Sequence, residues 1–175
     1  MPRIARVILL AALGLDVAYA ANPESLTKYI LKVDSFGPVT VGMTPNEASI
    51  KLGIPLALAG PPDEDTSECH YVYPNGKFDE VGFMVEGGRI TRIDIYSKAI
   101  ATSGGIRIGN DEDQVKKFFT GKVKEEIHPY IGKDGKYLIV ELKPPYAFVF
   151  ETDRGRITAV RGGELASVKY IEGCL

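Results

Sequence analysis

Alternating apolar and polar positions predict six strands in two groups. Alternation over four to eight residues is typical of a half-buried strand. Turn sequences such as Pro74-Asn75-Gly76 and Asp153-Arg154-Gly155 separate the strands, so each group is predicted to form a three-stranded antiparallel meander. The first group comprises His70–Tyr73, Val81–Val85 and Arg89–Tyr96, and the second comprises Tyr137–Leu142, Ala147–Glu151 and Arg156–Arg161.

A helix is predicted before each group of strands. Thr44 can cap the first helix, with Pro45 at its first position and Glu47 three residues after the cap. Asp111 and Gln114 have the same spacing at the second helix. Apolar residues give each helix a buried stripe and a glycine follows each stripe: Ala48, Ile50 and Leu52 before Gly53, and Val115, Phe118 and Phe119 before Gly121.

The same elements recur at a fixed offset. Gly42 aligns with Gly109, Gly88 aligns with Gly155, and both pairs are 67 residues apart. A β-branched pair before each aligned glycine predicts a short strand, at Val39 and Val41 and again at Ile106 and Ile108. The predicted fold class is therefore α+β: two tandem repeats of a helix plus a three-stranded antiparallel meander, with the helices packed on one face of a sheet.

The first twenty residues have the layout of a secretory signal peptide. Basic residues precede an apolar run from Val7 to Leu15, and the small residues Ala18 and Ala20 suit cleavage after Ala20. The run is shorter than the ~20 apolar residues that a permanent membrane helix needs, so stable membrane insertion after cleavage is not expected. The predicted organisation is a signal peptide at 1–20, a first repeat at 21–104, and a second repeat with a C-terminal tail at 105–175.

Cys69 and Cys174 are the two cysteines of the chain. An even number in an exported protein predicts one disulfide, here joining the C-terminal tail to the middle of the chain. A catalytic pair of Cys69 with His70 is disfavoured, because adjacent strand residues point to opposite faces. The compartment is predicted to be periplasmic or extracellular.

The string Gly42-Met43-Thr44-Pro45-Asn46-Glu47-Ala48, followed by Leu52-Gly53-Ile54-Pro55, resembles the motif that opens the repeat of a family of small exported bacterial proteins. These are related to the outer-membrane assembly lipoprotein BamE and to β-lactamase inhibitory protein. The resemblance covers 37–96 and, more weakly, 105–161. It implies a non-enzymatic protein that holds other proteins. This chain lacks a lipid-bearing cysteine, its second copy lacks the Met-Thr pair, and no inhibitory contact residue of the family matches a position here.

The net charge and the missing catalytic motifs reduce the number of functional classes that the sequence allows. A formal net charge of −2 argues against a nucleic-acid partner, which many phosphate contacts would have to hold. No nucleophile elbow, phosphate loop, dinucleotide fingerprint or zinc-protease motif occurs, and His70 and His128 are interpreted as structural, so no catalytic residue, cofactor or metal is predicted. Acidic runs at Asp63-Glu64-Asp65 and Asp111-Glu112-Asp113 suit a solvated loop and a helix start better than calcium.

One face of the first meander is rich in residue types that dominate protein interfaces. Alternation directs Phe83, Val85, Ile93 and Ile95 towards the helix, and the opposite face receives five candidate partner-binding residues: Tyr71, Tyr73, Met84, Arg92 and Tyr96. Either this face is open, or the C-terminal tail held by Cys69–Cys174 covers it.

The sequence therefore predicts an exported, non-catalytic module that holds a protein partner on its sheet face. The alternative is an inhibitor of a hydrolase that inserts a loop, Gly60–Glu68 or Asn75–Asp79, into an active site. An enzyme ranks third.

Overall fold

The computed structural model describes residues 26–59 and 68–174. The predicted signal peptide and most of the Gly60–Glu68 loop lie outside this range. In chain order, the described elements are β1 (Ile30–Lys32), β2 (Ser35–Phe36), β3 (Val39–Thr40), α1 (Pro45–Leu52), β4 (Leu56–Ala57), β5 (Cys69–Pro74), β6 (Val81–Glu86), β7 (Arg89–Ile95), β8 (Ala101–Thr102), α2 (Glu112–Phe118), β9 (Val123–His128), β10 (Gly132–Lys143), β11 (Tyr146–Asp153), β12 (Arg156–Glu164) and α3 (Leu165–Val168).

The strands form two sheets. The large sheet has eight strands in the order β4-β5-β6-β7-β12-β11-β10-β9, and the small sheet has four in the order β3-β2-β1-β8. Neighbours in the large sheet are antiparallel, whereas β1 and β8 of the small sheet are parallel. None of the helices in 26–59 and 68–174 is long and apolar enough to cross a membrane.

The predicted α+β fold of two helix-plus-meander repeats is wrong. The described part of the chain is mostly β, with 47% strand and 13% helix, and its sheets have four and eight strands. The six strands predicted for the two meanders are present. In the large sheet β4 and β9 lie at their two edges, and β1, β2, β3 and β8 form the small sheet. A strand at Val39 is confirmed, whereas Ile106 and Ile108 lie outside any strand.

The predicted helix caps agree with the structure better than the predicted apolar stripes of the helices do. Thr44 accepts from the backbone N–H of Glu47, whose carboxylate accepts from the N–H of Thr44, and Gly53 ends α1 in the left-handed region. Asp111 caps α2 by accepting from Asp113, not through Gln114, and this helix ends at Phe119, before Gly121. Two predicted stripe residues, Ile50 and Phe118, are exposed, because helices of eight and seven residues bury fewer than three side chains against one sheet.

The main core lies between the large sheet and its covering elements. Phe83, Val85, Ile93 and Ile95 face this core as predicted, together with Ala48 and Leu52 of α1, Val115 of α2 and Phe119, which follows α2. β7 pairs with β12 at the centre of the sheet and joins the two meanders into one layer. Gly163 is required there, since a Cβ atom would lie 2.3 Å from the carbonyl oxygen of Thr91.

One backbone arrangement occurs twice. The N–H of Gly42 donates to Ile90 (2.7 Å), and the N–H of Ile90 donates to Met43 (2.8 Å). Sixty-seven residues later, the N–H of Gly109 donates to Ile157 (2.7 Å), and that of Ile157 donates to Asn110 (2.9 Å). The segment that precedes each helix is thereby attached to the third strand of the meander that follows it.

An ion network attaches α2 to the large sheet. Lys116 and Lys136 each donate to Glu112 at 2.8 Å and lie 3.2 Å from Glu125, while Thr152 donates to Glu112 at 3.2 Å. Burial raises the pKa of Glu112, but the hydrogen bonds from the two lysines outweigh it and lower that pKa to about 2. The network holds the first turn of α2 against β9, β10 and β11.

This network predicts acid sensitivity that depends on Glu112. Because its pKa is lower in the folded chain than the ordinary 4.5, the stabilisation is complete above pH 5 and is lost as pH falls towards 2. Glu112→Gln is expected to reduce the free energy of unfolding by roughly 1–2 kcal/mol at pH 7. Urea unfolding at pH 7, 4 and 2.5 should show this difference shrinking. The control is Asp113→Asn, since Asp113 is exposed and lies 3.9 Å from Lys116. Equal pH dependence of the wild type and Glu112→Gln would contradict the assignment.

Candidate functional site

The C-terminal strap, defined as residues 165–174, lies across the face of the large sheet opposite the main core. Leu165 and Val168 pack on a second apolar cluster formed by Tyr137, Ile139, Ala147 and Val149. A disulfide joins Cys69 at the start of β5 to Cys174, as the sequence predicts. The strap is therefore packed at its first end and covalently attached at its last.

Arg92 connects the strap to the sheet. Its Nε and Nη2 donate to the carboxylate of Asp94 at 2.7 to 3.0 Å, and its Nη1 donates to the carbonyl oxygens of Ser167 (3.3 Å) and Tyr170 (2.9 Å). Arg92 and Asp94 are both buried. A buried guanidinium without these acceptors would be strongly destabilising, so the strap carbonyls complete its hydrogen bonding.

Three tyrosines surround the same charges. The hydroxyl of Tyr71 donates to Asp94 at 3.2 Å. Burial, and then the negative charge of Asp94, raise the pKa of Tyr71, Tyr73 and Tyr96, that of Tyr73 to about 12. All three phenols are therefore protonated at neutral pH, and Tyr71 serves as a hydrogen-bond donor to Asp94.

The five predicted partner-binding residues do lie on one face, but the strap side of that face is closed. Met84 and Arg92 are buried, so neither can contact a partner in this conformation. Tyr73 is also buried, while Tyr71 and Tyr96 are half-buried. Of the two alternatives left by the sequence, burial favours a covered face for Met84 and Arg92, and for Arg92 the covering groups are the strap carbonyls of Ser167 and Tyr170.

Phe78 is the exposed member of this aromatic group, and sequence reasoning did not select it. Its side chain is 60% exposed. Its ring centroid lies 4.4 Å from that of Tyr96 and 5.3 Å from that of Tyr73. The position follows a turn and breaks the alternation of the flanking strands, so periodicity gives no signal for it.

A second buried arginine lies beside the strap. Arg161 of β12 donates through Nε to the carbonyl of Val168 (2.6 Å) and through Nη1 to Glu151, and its guanidinium stacks 5.3 Å from the Tyr137 ring. Its side chain is 4% exposed. Among the described residues, its Nη2 is the one buried side-chain nitrogen or oxygen atom with no hydrogen-bond partner.

Arg161 lines a half-open groove between the strap and β9, which we call the Arg161 groove. Its volume is about 450 Å³ including the mouth. Tyr137, Ile139, Val149 and Val168 are buried and form its floor. Glu126, Lys169 and the exposed Ile127 and Ile171 form its rim.

Exposed apolar side chains are concentrated around this groove. Nine large hydrophobic residues are exposed in the described chain, and five of them occur in two short segments. These five, the C-terminal surface, are Ile127, Tyr130, Ile131, Tyr170 and Ile171. Tyr130, Tyr170 and Ile171 also line an adjoining depression on the strap. The segments are forty residues apart in sequence, so only the fold brings them together.

The histidines and acidic runs have structural surroundings. His128 is buried, and its Nδ1 accepts from the N–H groups of Tyr130 (3.2 Å) and Ile131 (3.4 Å), which shapes the turn after β9. His70 is half-buried at the start of β5. In 26–59 and 68–174, no group of three histidine, cysteine or acidic side chains converges as a metal site. The 63–65 run lies outside the described residues.

Comparison with known proteins yields one similar solved structure. It is the crystal structure of the uncharacterized protein yfeY from Escherichia coli, with 17% identity and a TM-score of 0.37, covering 77% of this chain and 99% of that chain. No family model matches the chain, and no curated protein is significantly similar to it. These comparisons assign no function to the chain.

Removal of the Arg92 guanidinium tests how the strap is attached. Arg92→Ala leaves Asp94 as an unpaired buried charge and is expected to destabilise the fold by about 3–5 kcal/mol. The control is Arg156→Ala, which removes an exposed arginine at the start of β12 and should change stability by less than about 0.5 kcal/mol. Chemical denaturation of both variants measures the difference. Similar small effects would show that Arg92 does not hold the strap.

Proposed function

We propose that the protein is an exported, non-catalytic binding module that holds a protein partner on the C-terminal surface. The supporting observation is that four of these five exposed residues, Ile127, Tyr130, Tyr170 and Ile171, line the groove or its adjoining depression, and Ile131 follows Tyr130 in sequence. Contiguous apolar patches on a protein surface mark interaction sites, and tyrosine is among the residue types enriched at interface centres. The sheet face proposed from sequence is replaced as the main contact, since Met84 and Arg92 are buried.

The neighbouring edge strand offers a way to bind an extended segment. Within the described residues, β9 is the last strand of the large sheet and pairs with β10 alone. Its outer edge therefore presents unpaired backbone N–H and C=O groups, to which a partner strand can add. Lys124, Glu125 and Glu126 discourage nonspecific pairing at one end, while Ile127 leaves the other end apolar.

Export to the periplasm or the extracellular space is part of the same proposal. The Cys69–Cys174 disulfide suits an oxidising compartment. The apolar run at Val7–Leu15 with small residues before Ala21 suits a cleaved leader. The resemblance of 42–55 to BamE-related proteins points to the same compartment and to protein binding without catalysis.

One feature of the structure supports the alternative role as an inhibitor of a hydrolase. Phe78 is exposed on the Asn75–Asp79 turn and could enter a cleft of a partner enzyme. However, the Phe78 ring packs on Tyr96 and Tyr73, and insertion of this ring into a partner's cleft would break those contacts. An inhibitor should abolish the activity of the captured enzyme stoichiometrically, and Phe78→Ala should relieve that inhibition. A scaffold should bind without altering turnover.

Site-specific photo-crosslinking in intact cells tests the binding surface. A photoreactive phenylalanine analogue replaces Tyr130 or Ile171 in the full chain, and Ile50, which is more exposed than either but lies on α1, serves as the control. We expect one discrete adduct from positions 130 and 171 and none from position 50, with loss of the adduct in a Tyr130→Ala/Ile171→Ala chain that still folds. Adducts from position 50 alone, or from no position, would contradict the proposal.

A further inference from the structure

The unsatisfied nitrogen of Arg161 is the chemical feature of the groove that the fold leaves unexplained. Two of the three guanidinium nitrogens have partners, Val168 for Nε and Glu151 for Nη1, whereas Nη2 has none. Buried polar groups almost always have hydrogen-bond partners, and exceptions call for a reason. The side chain is fixed by stacking on Tyr137 and by its two hydrogen bonds, so the free donor is held in place.

The charges around the groove favour an anion. Its rim and wall carry Arg161 and Lys169 against Glu126. The Glu126 carboxylate lies 2.7 Å from the Nζ of Lys124 and 3.8 Å from the Nζ of Lys169. The Glu151 carboxylate forms an ion pair with Arg161. Among the residues that line the groove, the two cations Arg161 and Lys169 and the one carboxylate Glu126 leave one positive charge in excess. An oxygen acceptor with a negative charge would complete the Arg161 donor set and balance this excess.

The rest of the groove selects an apolar group beside that anion. Its floor is Tyr137, Ile139, Val149 and Val168, so the part of a ligand that lies on the floor has to be apolar. Glu126 and Ile127, which lie on its rim, belong to the free edge strand β9. A peptide can therefore use the backbone groups of β9 and the groove together, which a fatty acid cannot.

We infer that the Arg161 groove binds the C-terminal residue of a partner chain, with an apolar side chain on the groove floor and the free α-carboxylate at Arg161 and Lys169. The inference rests on the proposed protein-binding function and specifies what the partner presents. The preceding residues of the partner would extend along β9 as an added strand.

Selection from peptide libraries tests the inference. The disulfide-bonded chain is panned against random heptapeptides displayed with a free C terminus and, separately, displayed with the C terminus blocked. We expect enrichment from the first library alone, with leucine, isoleucine, valine or phenylalanine at the last position. Synthetic versions of enriched peptides should bind at least about 10-fold more weakly when amidated, because a charge-assisted hydrogen bond is lost. Absence of enrichment, or equal affinity of acid and amide, would overturn the inference.

Two variants locate the contact. Arg161→Gln removes the guanidinium, and its thermal midpoint shows whether it still folds. Lys169→Glu changes a half-exposed rim residue outside the core and keeps the test valid if Arg161→Gln does not fold. Lys169→Glu should weaken the acid peptide about 10-fold and the amide little, while Lys122→Glu, an exposed residue before β9, should leave both unchanged.

Two further outcomes separate the inference from the function on which it rests. Binding of decanoate that depends on Arg161, without enrichment of any peptide, would mean that the groove takes a lipid carboxylate, and the peptide inference would fall. Crosslinks at Tyr130 and Ile171 without a carboxylate preference would leave the protein-binding function standing and remove the C-terminal specificity. Loss of the crosslinks themselves would remove the function.

Discussion

The hydrogen bonding of two buried arginines determines where the end of the chain lies. Arg92 and Arg161 come from β7 and β12, the two strands that join the halves of the large sheet. Each has a carboxylate partner on the sheet, Asp94 or Glu151, and each uses strap carbonyl groups as further acceptors. A guanidinium has five N–H donors, and leaving them unmet inside the fold is costly. The sheet therefore requires a segment that supplies carbonyl oxygens, and residues 165–174 supply them.

This arrangement produces the surface that we propose as functional. Once Ser167, Val168 and Tyr170 have their carbonyl groups turned towards the arginines, the side chains of Tyr170 and Ile171 project outwards. They meet Tyr130 on the turn that His128 shapes after β9. The groove forms between these two segments because α3 has only four residues and covers β11 and β12 but not β9. Arg161, whose Nη2 has no hydrogen-bond partner among the described residues, lines this groove.

Local signals in the sequence were sufficient for the parts of the fold that depend on neighbouring residues. The Thr44 to Glu47 cap, the three strands on either side of their turns and the inward direction of Phe83 and Ile93 follow from spacing alone. The sequence of β9 shows no alternation of apolar and polar residues, because Lys124, Glu125 and Glu126 are three consecutive charged residues of this edge strand. The strands of the small sheet have two or three residues each, too few for a period of two to be visible.

The candidate site could be predicted less well because its contacts are distant in sequence. Alternation places Arg92 on the face of the sheet opposite the main core, as observed. Its burial cannot be inferred from alternation, because the carbonyl groups that accept from it are 75 and 78 residues away in sequence. The even cysteine count did indicate that the tail returns to β5. Tyr130 and Tyr170 could not be predicted as site residues, because only the fold brings them to the same depression.

Hydrogen exchange of the strap, with and without disulfide reduction, tests the central claim most directly. If the arginines hold the strap, the amides of residues 165–170 keep their protection after Cys69–Cys174 is reduced, and only residues 171–174 exchange faster. If reduction brings the whole of 165–174 to the exchange rate of an unfolded peptide while β10 and β11 stay protected, the disulfide alone holds the strap and the account is wrong.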